Sequence, residues 1–174
     1  MLNLFFDLPG LALISVDEFS QLFRFFPGDQ SRFKEEGYKF MGAAFEVYNQ
    51  LGYGMAEEVY QQCLEIELQL RGIPFRSKYE LRLIYKEHQI ETVYKPDLFV
   101  FEGIVVELKA VTELTSDHEA QLFNYMRIAR LSVGYLLNFG HKGELQWKRF
   151  VLSDLHPAPA KGMKFGTLIS TDLR

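Results

Sequence analysis

The spacing of apolar residues changes period three times along the chain. Over residues 34–50, Tyr38, Met41, Phe45 and Tyr48 recur every three or four positions and predict a helix with those side chains on its core face. Leu51-Gly52-Tyr53-Gly54 ends it, because glycine tolerates the turn out of a helix. A second helix is predicted over residues 55–71, with Val59, Cys63, Ile66 and Leu70 on one face and Gly72 and Pro74 as the stop. The period then shortens. Residues 79–85 alternate as a strand, 86–89 read as a turn, and further strands are expected over 90–101 and 104–110. Helical spacing returns after Thr115-Ser116, where a hydroxyl can cap and acidic residues follow, and it runs to residue 129 or 130. Residues 133–138 and 145–152 close the pattern as strands.

The predicted order is two helices, three strands, one helix and two strands. That suits an α/β fold: a mixed central β-sheet flanked by helices, in the order ααβββαββ. Residues 34–155 would form this domain. Residues 1–33 are an apolar extension broken by Pro9-Gly10 and Pro27-Gly28, and residues 156–174 are an irregular tail rich in proline and glycine.

Composition narrows the picture only a little. An apolar content of 48% is enough for one domain with a real core. The net charge of −4 argues against a basic coat for nucleic acid, yet leaves room for a local basic cleft. The single Cys63 excludes an internal disulfide and a cysteine-rich zinc site, and its helical spacing places it in the core. No apolar stretch is long enough to span a bilayer, and the N-terminal residues carry Asp7 and Pro9 and lack an early cation, unlike a signal peptide. The cytoplasm is the simplest expected location.

The candidate chemistry lies in Tyr94-Lys95-Pro96-Asp97 and Glu107-Leu108-Lys109. Alternate residues of a strand share a face, so Glu107 and Lys109 project side by side, with Asp97 on the neighbouring strand. Two carboxylates and an ammonium suit a hard divalent cation and a phosphate, with the Leu108 carbonyl as a further oxygen ligand. The same residues also fit a solvated strand face with a Glu–Lys pair, although Val105, Val106 and Leu108 make the strand apolar for an exposed edge. Strand parity supplies a condition. A two-residue turn at Glu102-Gly103 would set Asp97 against Leu108, on the wrong face. The site therefore requires an odd connection or a bulge; a three-residue loop of residues 102–104 would set Asp97 against Lys109. Pro96, unable to donate to a ladder, makes a local distortion reasonable there.

Pro96-Asp97 followed by Glu107-x-Lys109 resembles the signature of the PD-(D/E)XK nuclease superfamily. Gly54-Met55-Ala56-Glu57-Glu58-Val59-Tyr60 matches a G-x-x-E-x-x-Y pattern. Gln121-Leu122-Phe123-Asn124-Tyr125 matches Q-x-x-x-Y, and GYLLNFG spans residues 134–140. In this order the four motifs resemble the GxxExxY family of that superfamily, over roughly residues 34–155. The resemblance implies a nuclease that uses Mg²⁺ or Mn²⁺ on nucleic acid, DNA more than RNA, with no membrane partner; a homodimer or a protein partner stays open. It implies Asp97, Glu107 and Leu108 as metal ligands and Lys109 as the group that orients water or neutralises phosphate charge. Glu57 would be a further acidic group, and Gln121 would bond a metal-bound water. Tyr60 and Tyr125 would contact the substrate. The alternative is a nuclease-fold binding or assembly module without catalysis. The four histidines lack metal-ligand spacing, and His118 reads as a surface residue.

Overall fold

The structure is a computed structural model and describes residues 32–152. Helices α1 (Lys34–Leu51) and α2 (Glu57–Leu70) lead into strands β1 (Phe75–Ser77), β2 (Leu81–Tyr85), β3 (His88–Tyr94), β4 (Leu98–Val100) and β5 (Ile104–Lys109). Helix α3 (Ser116–Ala129) and strands β6 (Val133–Asn138) and β7 (Gln146–Val151) follow. Among the described residues the main sheet is mixed, in the order β1-β4-β5-β6-β7, and its one parallel pair is β5–β6; β2 and β3 form a separate hairpin. Among the described residues no helix is long and apolar enough to cross a membrane.

The α/β architecture with a mixed sheet is as expected, but five strands rather than three stand between α2 and α3. The single strand expected over residues 90–101 is two strands in two sheets, divided at Lys95-Pro96-Asp97. Proline removes a ladder donor, so the chain leaves the hairpin there and enters the main sheet. Short β1, which pairs antiparallel with β4, had no sequence signal at three residues.

Alternation along β5 assigns the two faces of the sheet. Ile104, Val106 and Leu108 pack with α1 and α2, whereas Val105 packs with α3 residues Leu122, Tyr125 and Met126. Burying one such aliphatic side chain stabilises by about 1.5–3 kcal/mol. A slip of one residue would turn all of them over and force Glu107 into the α1–α2 core, so the register is firmly set.

Met41 and Tyr48 are buried as expected, but other expected core positions of the two helices are exposed. Tyr38 is 83% exposed and Leu70 77%, and Phe45, Val59 and Ile66 also face outward. The buried stripe of α1 is Gly37, Phe40, Met41, Ala43, Ala44, Val47 and Tyr48, and that of α2 is Tyr60, Gln61, Leu64 and Leu68. Gly37 makes room for the Tyr135 ring of β6, and Gly and Ala carry little hydropathic signal, so the large side chains pointed to the neighbouring stripe. Cys63 is only partly buried, at the rim of that core.

Candidate active site

Parity at the β4–β5 connection decides the site. Val100 pairs with Ile104 and Leu98 with Val106, so the connection is the three residues Phe101–Gly103. Phe101 and Glu102 turn the chain with φ of 51° and 56°. The required odd connection exists, one residue earlier than the expected loop. Continued by one residue, the register sets Asp97 opposite Glu107 rather than Lys109. Asp97, Glu107 and Lys109 thus share the face covered by α3.

The side chains of this trio are nearly dry. Asp97 Oδ2 accepts the Leu108 N–H at 2.7 Å, and its Oδ1 is paired with the Lys78 ammonium. Lys109 Nζ donates to Glu107 Oε1 at 2.6 Å, with side-chain exposures of 12% and 3%. Glu107 Oε2 is buried and has no hydrogen-bond partner among the described residues. Burial, then the neighbouring Asp97 charge, push the Glu107 carboxyl up to about 7 against the pull of Lys109, and Glu57 adds to the rise. Burial alone would lower the Lys109 ammonium, but the bond to Glu107 and the charges of Glu107, Glu57 and Asp97 together raise it.

Glu57 arrives from the other helix layer as the first residue of α2. The G-x-x-E-x-x-Y segment positions it. Gly54 has φ of 102°, which a side chain would resist. Tyr60 Oη donates to the Gly52 carbonyl at 2.8 Å and accepts the Met55 N–H at 3.1 Å, closing the loop ahead of the helix. Tyr60 is fully buried, and its ring stacks on Phe139 with centroids 4.8 Å apart. Tyr60, expected at the substrate, has the donor and the acceptor of its hydroxyl engaged within this loop.

Helix α3 supplies the remaining pair. Gln121 Nε2 donates to Tyr125 Oη at 3.0 Å. Tyr125 is raised by burial and then, against the Gln121 bond, by the charges of Glu107 and Asp97, which places its hydroxyl within electrostatic reach of the trio. Gln121, Asn124, Tyr125, Asp117, Ala120 and Tyr94 line a surface cavity of about 280 Å³ beside it. The α3 start is as expected, and His118 Nδ1 accepts the Thr115 N–H at 3.1 Å as part of the cap.

The floor is braced behind β5 and β6. Asn138, fully buried, accepts the N–H groups of Val111 and Gly140 through Oδ1, both at 3.0 Å, and donates to Gln146. A Cβ on Gly140 would lie 2.5 Å from the Ala110 backbone, so only glycine permits this close approach. Lys148 pairs with Glu119 and Arg149 bonds the Arg32 carbonyl, so the charges of edge strand β7 serve the fold.

Lys78 is the site residue that sequence reading missed. It follows the three-residue β1, and its N–H donates to the Asp97 carbonyl at 3.0 Å. Only the pairing of β1 with β4 brings it to Asp97, and an isolated lysine carries no signal of that. Among the described residues no three or more His, Cys, Asp or Glu side chains form a cluster able to hold a metal.

The family model of the PD-(D/E)XK nuclease superfamily matches residues 34–150. Among solved structures, the chain resembles one titled "Crystal structure of SSO0001" at 14% identity and a TM-score of 0.47, covering 78% of this chain and 74% of that one. No protein of curated function matches it at a significant level.

Proposed function

Because the chain belongs to the PD-(D/E)XK nuclease superfamily, we propose that it is a nuclease of the GxxExxY group that hydrolyses phosphodiester bonds of nucleic acid with Mg²⁺ or Mn²⁺. The carrying observation is the shared face of Asp97, Glu107 and Lys109, with Glu107 Oε2 buried and without a hydrogen-bond partner among the described residues. A buried, orphaned carboxylate oxygen is costly unless something positive meets it, which suits a divalent cation. Two carboxylates and a backbone carbonyl suit Mg²⁺ better than a closed cage of three or more acids, since Mg²⁺ keeps several waters. Asp97, Glu107 and the Leu108 carbonyl would hold the ion. Bound there, it supplies Lewis-acid polarisation of the phosphate and a more acidic water.

The chain's own groups carry the rest. Lys109, fixed by Glu107, presents an ammonium that orients the attacking water and neutralises charge growing on the phosphate oxygens. Gln121 keeps its amide oxygen for a water while its nitrogen holds Tyr125. Tyr125 faces the backbone of the nucleic acid, and Glu57 adds negative charge that favours cation loading.

The test pairs cleavage with binding. Single- and double-stranded DNA and RNA are incubated with Mg²⁺ and with Mn²⁺, beside Lys109→Ala and Asp97→Asn. Wild type should cleave, Lys109→Ala should lose cleavage yet bind cation, and Asp97→Asn should bind cation more weakly by calorimetry. Cleavage that survives Lys109→Ala would refute the mechanism. Cation binding without cleavage of any substrate would favour the binding-module alternative.

A further inference from the structure

Asp97 and Glu107 each carry an ammonium, and the two ammoniums are held differently. Lys109 is nearly buried against Glu107, with 12% of its side chain exposed. Lys78, on Asp97 Oδ1, is 50% exposed. Asp97 Oδ2 accepts the buried Leu108 N–H at 2.7 Å, whereas Oδ1 is held by a half-exposed ammonium and is the oxygen more open to an outside ligand. The backbone of Lys78 is pinned by its N–H bond to the Asp97 carbonyl and sits in a left-handed conformation with φ of 49°. Beyond that fixed point the side chain is a flexible four-carbon stem with a hydrated charge at its end.

We propose that Lys78 is a built-in occupant of the cation position: it neutralises Asp97 in the empty site, leaves Oδ1 when a divalent ion binds, and then contacts a substrate phosphate at the mouth of the site. This rests on the reading of Asp97 as a cation ligand. Asp97 is buried, and a buried carboxylate without a counter-charge is strongly unfavourable, so the empty site needs Lys78. An ion pair with one half-exposed partner is weak, so a divalent ion on the same oxygen can displace it. An ammonium and a divalent ion in contact with the same oxygen repel each other, which favours displacement of the more exposed, tethered one. The displaced ammonium remains tethered within a side chain's length of Asp97, which keeps the positive charge where a phosphate would approach. Lys109, almost dry and bonded to Glu107, has no such freedom and stays.

The experiment is calorimetric titration of Mn²⁺ into the metal-free full chain, for wild type, Lys78→Met, Lys78→Gln and Lys95→Met. Lys95 is a control of equal exposure, paired with Glu80. Removing the occupant should tighten Mn²⁺ binding about fivefold or more in both Lys78 variants, the scale of one weak ion pair, with Lys95→Met within about twofold of wild type. In Ca²⁺, affinity for a short DNA oligonucleotide should fall in the Lys78 variants, by fluorescence anisotropy. Two variants guard against one failing to fold, which denaturation curves check. Mn²⁺ binding by folded Lys78 variants that is unchanged or weaker would overturn the proposal, as would an equal gain in Lys95→Met. If wild type and all variants bind no Mn²⁺, the reading of Asp97 fails, and the proposal falls with it.

Discussion

Glu107→Gln should stabilise the metal-free protein at alkaline pH and remove a pH dependence. In the folded chain the Glu107 carboxyl sits at about 7 instead of its ordinary 4.5. Between those values the folded state holds a proton that the unfolded state has lost, so stability falls as pH rises through about 4.5 to about 7. At about 1.4 kcal/mol per pH unit, that displacement costs the folded state about 3 kcal/mol above pH 7. The glutamine is nearly isosteric with the neutral carboxyl and keeps an acceptor for Lys109, and the displacement to about 7 is already net of the attraction of Lys109 for the charged form. The expected gain is therefore about 3 kcal/mol at pH 8, shrinking to nothing near pH 4.5. Urea denaturation in EDTA at both pH values measures it. Adding Mg²⁺ at pH 8 should then stabilise wild type and leave the variant unmoved. A stability difference of the same sign and size at both pH values would refute the reasoning, because the charge of Glu107 would not be its source.

Two other outcomes follow from the same geometry. Gln121→Ala should cut turnover at least tenfold with under about 1 kcal/mol lost in denaturation, since its half-exposed amide contributes little packing; unchanged specific activity with a marked loss of stability would make it structural. Tyr60→Phe should cost about 1–2 kcal/mol by denaturation, because the Met55 N–H and Gly52 carbonyl lose their buried partner, and it should lower activity only through the placement of Glu57.

The sequence by itself determined the composition of the trio and the parity condition on it. Side chains alternate along any strand, so Glu107 and Lys109 had to share a face, and only an odd connection or a bulge could bring Asp97 to them. It also determined the α/β class and the presence of α1, α2, α3, β5 and β6, since each carries many residues in one period. Tertiary structure decided the rest. It selected which stripe of α1 and α2 is buried, because tight packing has room there only for small residues such as Gly37, Ala43 and Ala44, whose own hydropathy is slight. It divided residues 90–101 between two sheets, because pairing partners far along the chain, not local propensity, choose where a strand belongs. It turned the tyrosine of the G-x-x-E-x-x-Y segment inward as the lock of a loop. Finally, it brought Lys78 to Asp97 through the short ladder of β1 and β4, a contact between residues 19 positions apart that no local pattern encodes.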